Sequence, residues 1–198
     1  KINNSNSASI NVNGTATLTV NPSDATINIP NGLSRNGNTI TANTPGIYTI
    51  TASNSAGEAS VTLTVKPTLS INGNNTINVN GNISLNPNPS PNTGAGDGYM
   101  YDNSALRIEG NNVTGLKPGN HTVKLKVNEV ESDPVTITVK PTLSINDTSI
   151  NKGNNETAKL TVNPNNSPSF NYDKSGLQID SDGNVTGLKA GTYTITAT

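Results

Sequence analysis

Cysteine and tryptophan are both absent from this 198-residue chain, and histidine, methionine and phenylalanine occur once each. Without cysteine there are no disulfides, thiolate metal sites or cysteine nucleophiles. One histidine, His121, is too few for a histidine metal cluster, and a Ser-His-Asp triad would have to be built on it alone. Charge is also scarce, at 13% of residues with a net of −1. A nucleic-acid surface needs a basic stripe, because neutralising phosphates supplies most of the affinity, and none is present. The same scarcity removes the self-repulsion that keeps disordered chains open. No apolar run approaches the length of a membrane span. The opening Lys1-Ile-Asn-Asn4 carries no apolar stretch of the kind found in a secretory leader.

In place of charge the chain has Asn, Thr, Ser and Gly, which suit strand faces and turns. Period-two alternation recurs at 16–20, 47–52, 61–65, 123–127, 135–139 and 158–162, with apolar residues on one face and mainly Thr or Lys on the other. Turn signals fall between such runs, at Asn31-Gly, Asn36-Gly, Asn80-Gly, Gly110-Asn-Asn and Ser181-Asp-Gly-Asn. No segment shows a helical period. Short strands with frequent turns predict β-sandwiches.

The chain repeats itself. Gly183-Asn-Val-Thr-Gly-Leu-Lys-Ala-Gly-Thr-Tyr193 echoes Gly110-Asn-Asn-Val-Thr-Gly-Leu-Lys-Pro-Gly-Asn-His121, and Asn38-Thr-Ile-Thr-Ala-Asn-Thr-Pro-Gly-Ile-Tyr48 is a fainter copy. The glycine before the final strand recurs at Gly46, Gly119 and Gly191, in steps of 73 and 72 residues. Lys66-Pro-Thr-Leu-Ser-Ile-Asn72 returns as Lys140-Pro-Thr-Leu-Ser-Ile-Asn146 after 74. One period from two markers predicts three units, 1–66, 67–140 and 141–198. Lys-Pro alone separates the strand closing one unit from the strand opening the next. Proline fixes its own φ and keeps its predecessor extended, so a stiff joint and a semi-rigid rod are expected. Aligning Pro87 with Pro164 gives unit two six extra residues, in an exposed loop over 86–98.

The phrase over 184–198 resembles the closing motif of bacterial immunoglobulin-like group 2 domains, closely in units two and three and more faintly in unit one. The resemblance implies an all-β fold: a tandem array of three immunoglobulin-like antiparallel β-sandwiches, the last lacking its final strand. The antibody type, built on a Cys pair around a Trp, is excluded by composition. The resemblance also implies a non-enzymatic, extracellular setting. Such domains occur in intimin- and invasin-like bacterial surface adhesins, cell-wall proteins and bacteriophage tail and head-fibre proteins. It further implies neighbouring immunoglobulin-like domains as partners. The physical reading adds a tyrosine corner at Tyr48 and Tyr193, and Leu116 or Leu188 capping the core end.

No catalytic residue, metal ligand set or cofactor is expected. His121 stands in the repeat slot of Tyr48 and Tyr193, so it reads as a strand-start filler. Asp180-Ser-Asp-Gly-Asn184 resembles the start of a calcium loop but lacks the distal bidentate Glu, and reads as a hairpin turn. Gly94-Ala-Gly-Asp-Gly98 lacks the following helix that a phosphate cradle needs. The best binding candidates are Asn92, Asp97 and Tyr99 in the unit-two loop, with a surface glycan or protein as partner. Sequons at Asn13, Asn82, Asn112, Asn120 and Asn184 follow from composition. Two functional classes result: a structural or display array, with or without adhesion of its own, or an accessory region of a larger secreted enzyme. Unit three has no counterpart of 61–65 or 135–139, and Lys1-Ile-Asn3 aligns with Ser144-Ile-Asn146. The expectations are a window on a longer array, or an open sheet edge that pairs with a partner's strand.

Overall fold

Alternating Val, Ile and Leu against Thr and Asn produces strands with one buried face throughout the chain. The computed structural model describes residues 1–92, 96–152, 156–165 and 169–197, and every regular element there is a strand. Unit one contains β1 (Ser7–Asn11), β2 (Thr15–Thr17), β3 (Thr26–Asn28), β4 (Leu33–Asn36), β5 (Thr39–Ala42), β6 (Gly46–Asn54) and β7 (Gly57–Lys66). Unit two contains β8 (Thr68–Asn72), β9 (Thr76–Asn78), β10 (Asn82–Asn88), β11 (Gly98–Met100), β12 (Leu106–Glu109), β13 (Asn112–Gly115), β14 (Gly119–Val127), β15 (Val130–Glu131) and β16 (Val135–Lys140). Unit three contains β17 (Thr142–Ile145), β18 (Thr157–Asn163), β19 (Phe170–Asn171), β20 (Leu177–Ile179), β21 (Asn184–Gly187) and β22 (Thr196–Ala197).

Unit two has the full plan. One sheet runs β12-β13-β10-β8 and the other β11-β14-β16-β9. This is the two-sheet arrangement of an immunoglobulin-like sandwich, with the first strand divided between the sheets as β8 and β9. Unit one repeats it as β2-β5-β4 against β1-β7-β6-β3, and Ile2 bridges Leu18 where Ile71 pairs with Leu85. Unit three repeats it as β17-β18-β21-β20 against β19-β22. Among its described residues no strand holds the place of β7 or β16. The chain is therefore a tandem array of three immunoglobulin-like sandwiches, the third showing no closing strand among its described residues.

Pairing is antiparallel except where β1 meets β7 and β9 meets β16, which are parallel. The opening strand crosses from one sheet to the other and keeps its direction, so it lies parallel to the closing strand. Each sandwich has its own core. Ile40, Ile50, Leu63 and Val65 are central in the first, Leu106, Val113, Val123 and Ile137 in the second, and Ala158, Leu160, Leu177 and Val185 in the third.

The unit-two insertion is shorter than the sequence alignment gave. β10 runs through Asn88, so 86–88 belong to the sheet. Pro87 pairs with Leu69, as Val162 pairs with Leu143, which places Pro89 and not Pro87 opposite Pro164. The spans to Asp102 and Asp173 are then 13 and 9 residues, leaving four extra in unit two. Proline fits this strand because beyond Leu85, whose N–H donates to the Asn111 carbonyl, β10 has only β8 beside it, so the missing N–H breaks no ladder on the other side.

Candidate functional site

Three side chains in equivalent positions make the same bond. The Tyr48 hydroxyl donates to the Thr44 carbonyl at 2.8 Å, and the Tyr193 hydroxyl to the Lys189 carbonyl at 3.1 Å. His121 Nε2 lies 2.8 Å from the Lys117 carbonyl, and an N–H must donate there because a carbonyl only accepts. His121 thus completes the corner that the tyrosines complete, four residues after its acceptor in each case. Burial raises the Tyr48 phenol above its ordinary value. Leu188 does not cap a core end. It is 40% exposed, because the turn carrying it points the side chain outward.

The turn at 180–184 also has its groups occupied. Asp180 Oδ1 accepts from the backbone N–H of Asp182 at 2.9 Å and of Asn184 at 2.8 Å, and Oδ2 accepts from Asn184 Nδ2 at 2.7 Å. The Asn184 bonds, first that from its side chain, hold the Asp180 carboxyl below its ordinary pKa. Both oxygens close the turn, the role expected of a hairpin. Among the described residues no group of three or more acidic or histidine side chains could hold a metal ion.

Of the candidates Asn92, Asp97 and Tyr99, the first two are bonded to each other and the third is engaged elsewhere. Asn92 is exposed, and its N–H donates to Asp97 Oδ2 at 3.4 Å. Asp97 Oδ1 accepts from the Asn128 N–H at 2.9 Å. Tyr99 lies in β11 opposite Leu125, packs against the unit-two core and donates its hydroxyl to Asn111 Oδ1 at 2.7 Å. Burial raises its pKa. Residues 93–95, within the glycine-rich stretch, lie outside the described residues.

Asp97 leads instead to a contact between units. Asn128 and Glu129 form the two-residue turn between β14 and β15, both at positive φ (48° and 64°), as a tight hairpin requires. Asn128 Nδ2 donates to the Pro45 carbonyl of unit one at 3.0 Å. Beyond β15, Asp133 meets Lys66 at 2.7 Å. Buried Ser132 fixes that approach, its Oγ accepting from the Leu125 N–H at 2.9 Å and donating to the Asp133 carbonyl at 2.8 Å. Pro45 and Pro67 are fully buried. Sequence reading missed Asn128, Ser132 and Asp133. The turn has no glycine, and only the tolerance of Asn for left-handed backbone marks it.

Neither a protein-family model nor a curated relative matches the chain. Solved structures with similar arrangements include extracellular domains 3–5 of Drosophila OTK, at 13% identity and TM-score 0.30, covering 68% of this chain and 58% of that one. Domains 1–6 of the surface layer protein SbsC align at 18% identity and TM-score 0.27, over 100% of this chain and 38% of that one. The insect immune protein hemolin aligns at 14% identity and TM-score 0.27, over 69% and 45%. This chain therefore spans well under two thirds of each. Strand order, rather than these remote likenesses, carries the fold assignment.

Proposed function

We propose that the chain is a non-catalytic structural array. Its immunoglobulin-like units, of the bacterial group 2 kind with boundaries at 66/67 and 140/141, form a stalk outside a bacterial cell or on a phage virion. It spaces and presents whatever adhesive surface it carries. The observation that supports this most is the joint between units one and two. A single residue separates β7 from β8, Pro67 is buried, and unit two's hairpin reaches back to Pro45 and Lys66. Three contacts at separate points fix an orientation, which is what a spacer needs. The one histidine is engaged in a corner bond, which agrees with a mechanical role.

Small-angle scattering tests the reading. A compact globule of 198 residues would have a radius of gyration of about 16 Å. The stalk is expected to be clearly larger, with a cross-section of one sandwich. A value near the compact one would refute it. A second reading, direct contact with a glycan or protein through Asn92, Asp97 and Tyr99, is favoured by the exposure of Asn92 in a unit-specific insertion. Persistence of binding to a surface ligand after deletion of 90–96 combined with Asp97→Ala and Tyr99→Phe would remove that reading and leave the stalk.

A further inference from the structure

The hairpin tip of unit two is held from two sides. Asn128 donates through its backbone N–H to Asp97 Oδ1 at 2.9 Å, within its own unit. Through Nδ2 it donates to the Pro45 carbonyl of unit one at 3.0 Å. One residue therefore carries both the grip on unit one and the attachment that steadies that grip. Val127 and Val130, on either side of the turn, are buried and anchor its base. Asn128 and Glu129 between them are exposed, so packing holds the base and not the tip. The Asn128 N–H takes no part in the Val127↔Val130 closing pair and, without Asp97, would face water.

Asp97 is placed there by a feature that belongs to unit two. It ends the insertion, directly before β11, and is half-buried. Ladder register fixes its counterparts, because Tyr99 pairs with Leu125 as Ile27 pairs with Ala52 and Phe170 with Ala197. Two residues earlier in the sequence stand Asp97, Ala25 and Pro168, and only the first has a carboxylate. Unit one closes its own hairpin tip differently. There the Ala56 N–H donates to Asn54 Oδ1 at 2.9 Å, so that tip is tied to itself. In unit two Asp97 Oδ2 also accepts from the Asn92 N–H at 3.4 Å, which ties the carboxylate back along the insertion. Lys126, on the same hairpin, is engaged by Glu129 at 2.6 Å and leaves Asp97 to the backbone.

We propose that Asp97 is a positioning residue for the joint between units one and two. Its carboxylate fixes the exposed tip, so that the Asn128 side chain meets the Pro45 carbonyl at one angle. A charge-assisted bond suits this task, being roughly twice as strong as a neutral one. The insertion of unit two thus serves the joint, whatever else it displays. The purpose of this arrangement rests on the stalk reading, since a spacer needs a fixed angle. Its geometry stands without that reading.

The chain lacks cysteine, so Ser34→Cys in β4 and Arg107→Cys in β12, both exposed, give one spin-label pair across the joint of the full chain. In an Asp97→Ala variant the distance distribution is expected to broaden. Exchange of the Asn128 amide should rise by about tenfold or more, the measure of a lost hydrogen bond to a charged group. Asp97→Asn keeps an oxygen at Oδ1 while removing the charge, and should hold the distribution narrow. Adding Asp97→Ala to Asn128→Gly should broaden nothing further, because the glycine has already severed the bond to Pro45. The proposal is overturned if Asp97→Ala leaves the distribution unchanged, or if Asp97→Asn broadens it as much as Asp97→Ala does. An unchanged distribution in a chain that scatters as a rod removes the role of Asp97 and leaves the stalk. A compact scattering envelope with a broadened Asp97→Ala distribution does the reverse.

Discussion

In unit three a Cβ on Gly176 would collide with Cε1 and Cζ of the Tyr193 ring. Unit two holds a methyl at that place, Ala105, only 1% exposed, and its corner ring is the smaller imidazole of His121. Unit one follows unit three, with Gly32 against Tyr48 and a built Cβ only 2.5 Å from the Tyr48 hydroxyl. The corner bond to the carbonyl four residues back survives in all three. Ring and facing residue therefore behave as one volume-matched pair: a large ring requires glycine, and a small ring admits alanine. The only histidine in the chain is explained by packing and one hydrogen bond.

Breaking the match should give the largest effects. Gly176→Ala forces the Tyr193 ring out of its place and is expected to destabilise unit three by about 3 kcal/mol, the upper end for overpacking a filled site. His121→Tyr imposes the converse clash on Ala105 and should destabilise unit two by about 1–3 kcal/mol. Ala105→Gly added to His121→Tyr should recover most of that loss. Urea unfolding of each variant and of the double mutant measures the coupling. If His121→Tyr is neutral, or Ala105→Gly fails to rescue it, the paired-volume account is wrong.

Much of this was legible in the sequence. All six alternating segments lie wholly or partly in strands, and the corner could be anticipated because Tyr48 and Tyr193 follow their glycines at a fixed offset. The parallel strands β1 and β9 were not, because β9 is three residues long with one isoleucine, Ile77, and β1 sets only the small Ala8 and Ile10 inward, a weak periodic signal. Nor could the sequence separate a tyrosine that faces solvent from one like Tyr99, whose hydroxyl is engaged by Asn111 across a turn. Contacts between units were illegible for the same reason. Asn128 and Pro45 are 83 residues apart, and no local pattern links them.

The joints extend the comparison. Both have the sequence Lys-Pro-Thr-Leu-Ser-Ile-Asn, so both prolines restrict φ alike. Yet Pro67 is buried while Pro141 is exposed, and Pro118, the counterpart of Pro45, is only half-buried. The difference lies in the hairpin at Asn128 and Asp133, which closes the joint into unit two. The contacts there are a tertiary addition to the local restriction that proline imposes. Asn128→Gly, which keeps the left-handed turn, with Asp133→Ala should broaden the orientation of unit one against unit two, as read by spin-label distances, toward that of units two and three. The cost in stability should stay within about 1 kcal/mol, since exposed ion pairs contribute little. An unchanged distance distribution would return the rigidity to Lys-Pro alone.

The smallest expected effect tests where the two units are alike. Asp102 and Asp173 close identical turns, accepting from Ser104 N–H at 2.9 Å and Ser175 N–H at 2.8 Å. Hydrogen bonding from those serines holds both carboxyls below the ordinary value of 3.8. A depressed folded-state pKa means the unfolded chain takes up protons first as pH falls. The stabilisation is therefore complete above the unfolded value and is lost as pH drops from about 4 through the lower folded value. Melting temperature should be level between pH 5 and 7 with respect to these groups and decline below about pH 4. Asp102→Asn should flatten the decline in unit two and Asp173→Asn that in unit three, by similar amounts, because geometry and cause are shared. Unequal flattening would show that the nearby charges, Lys117 and His121 in one unit and Lys189 in the other, outweigh the serine bonds.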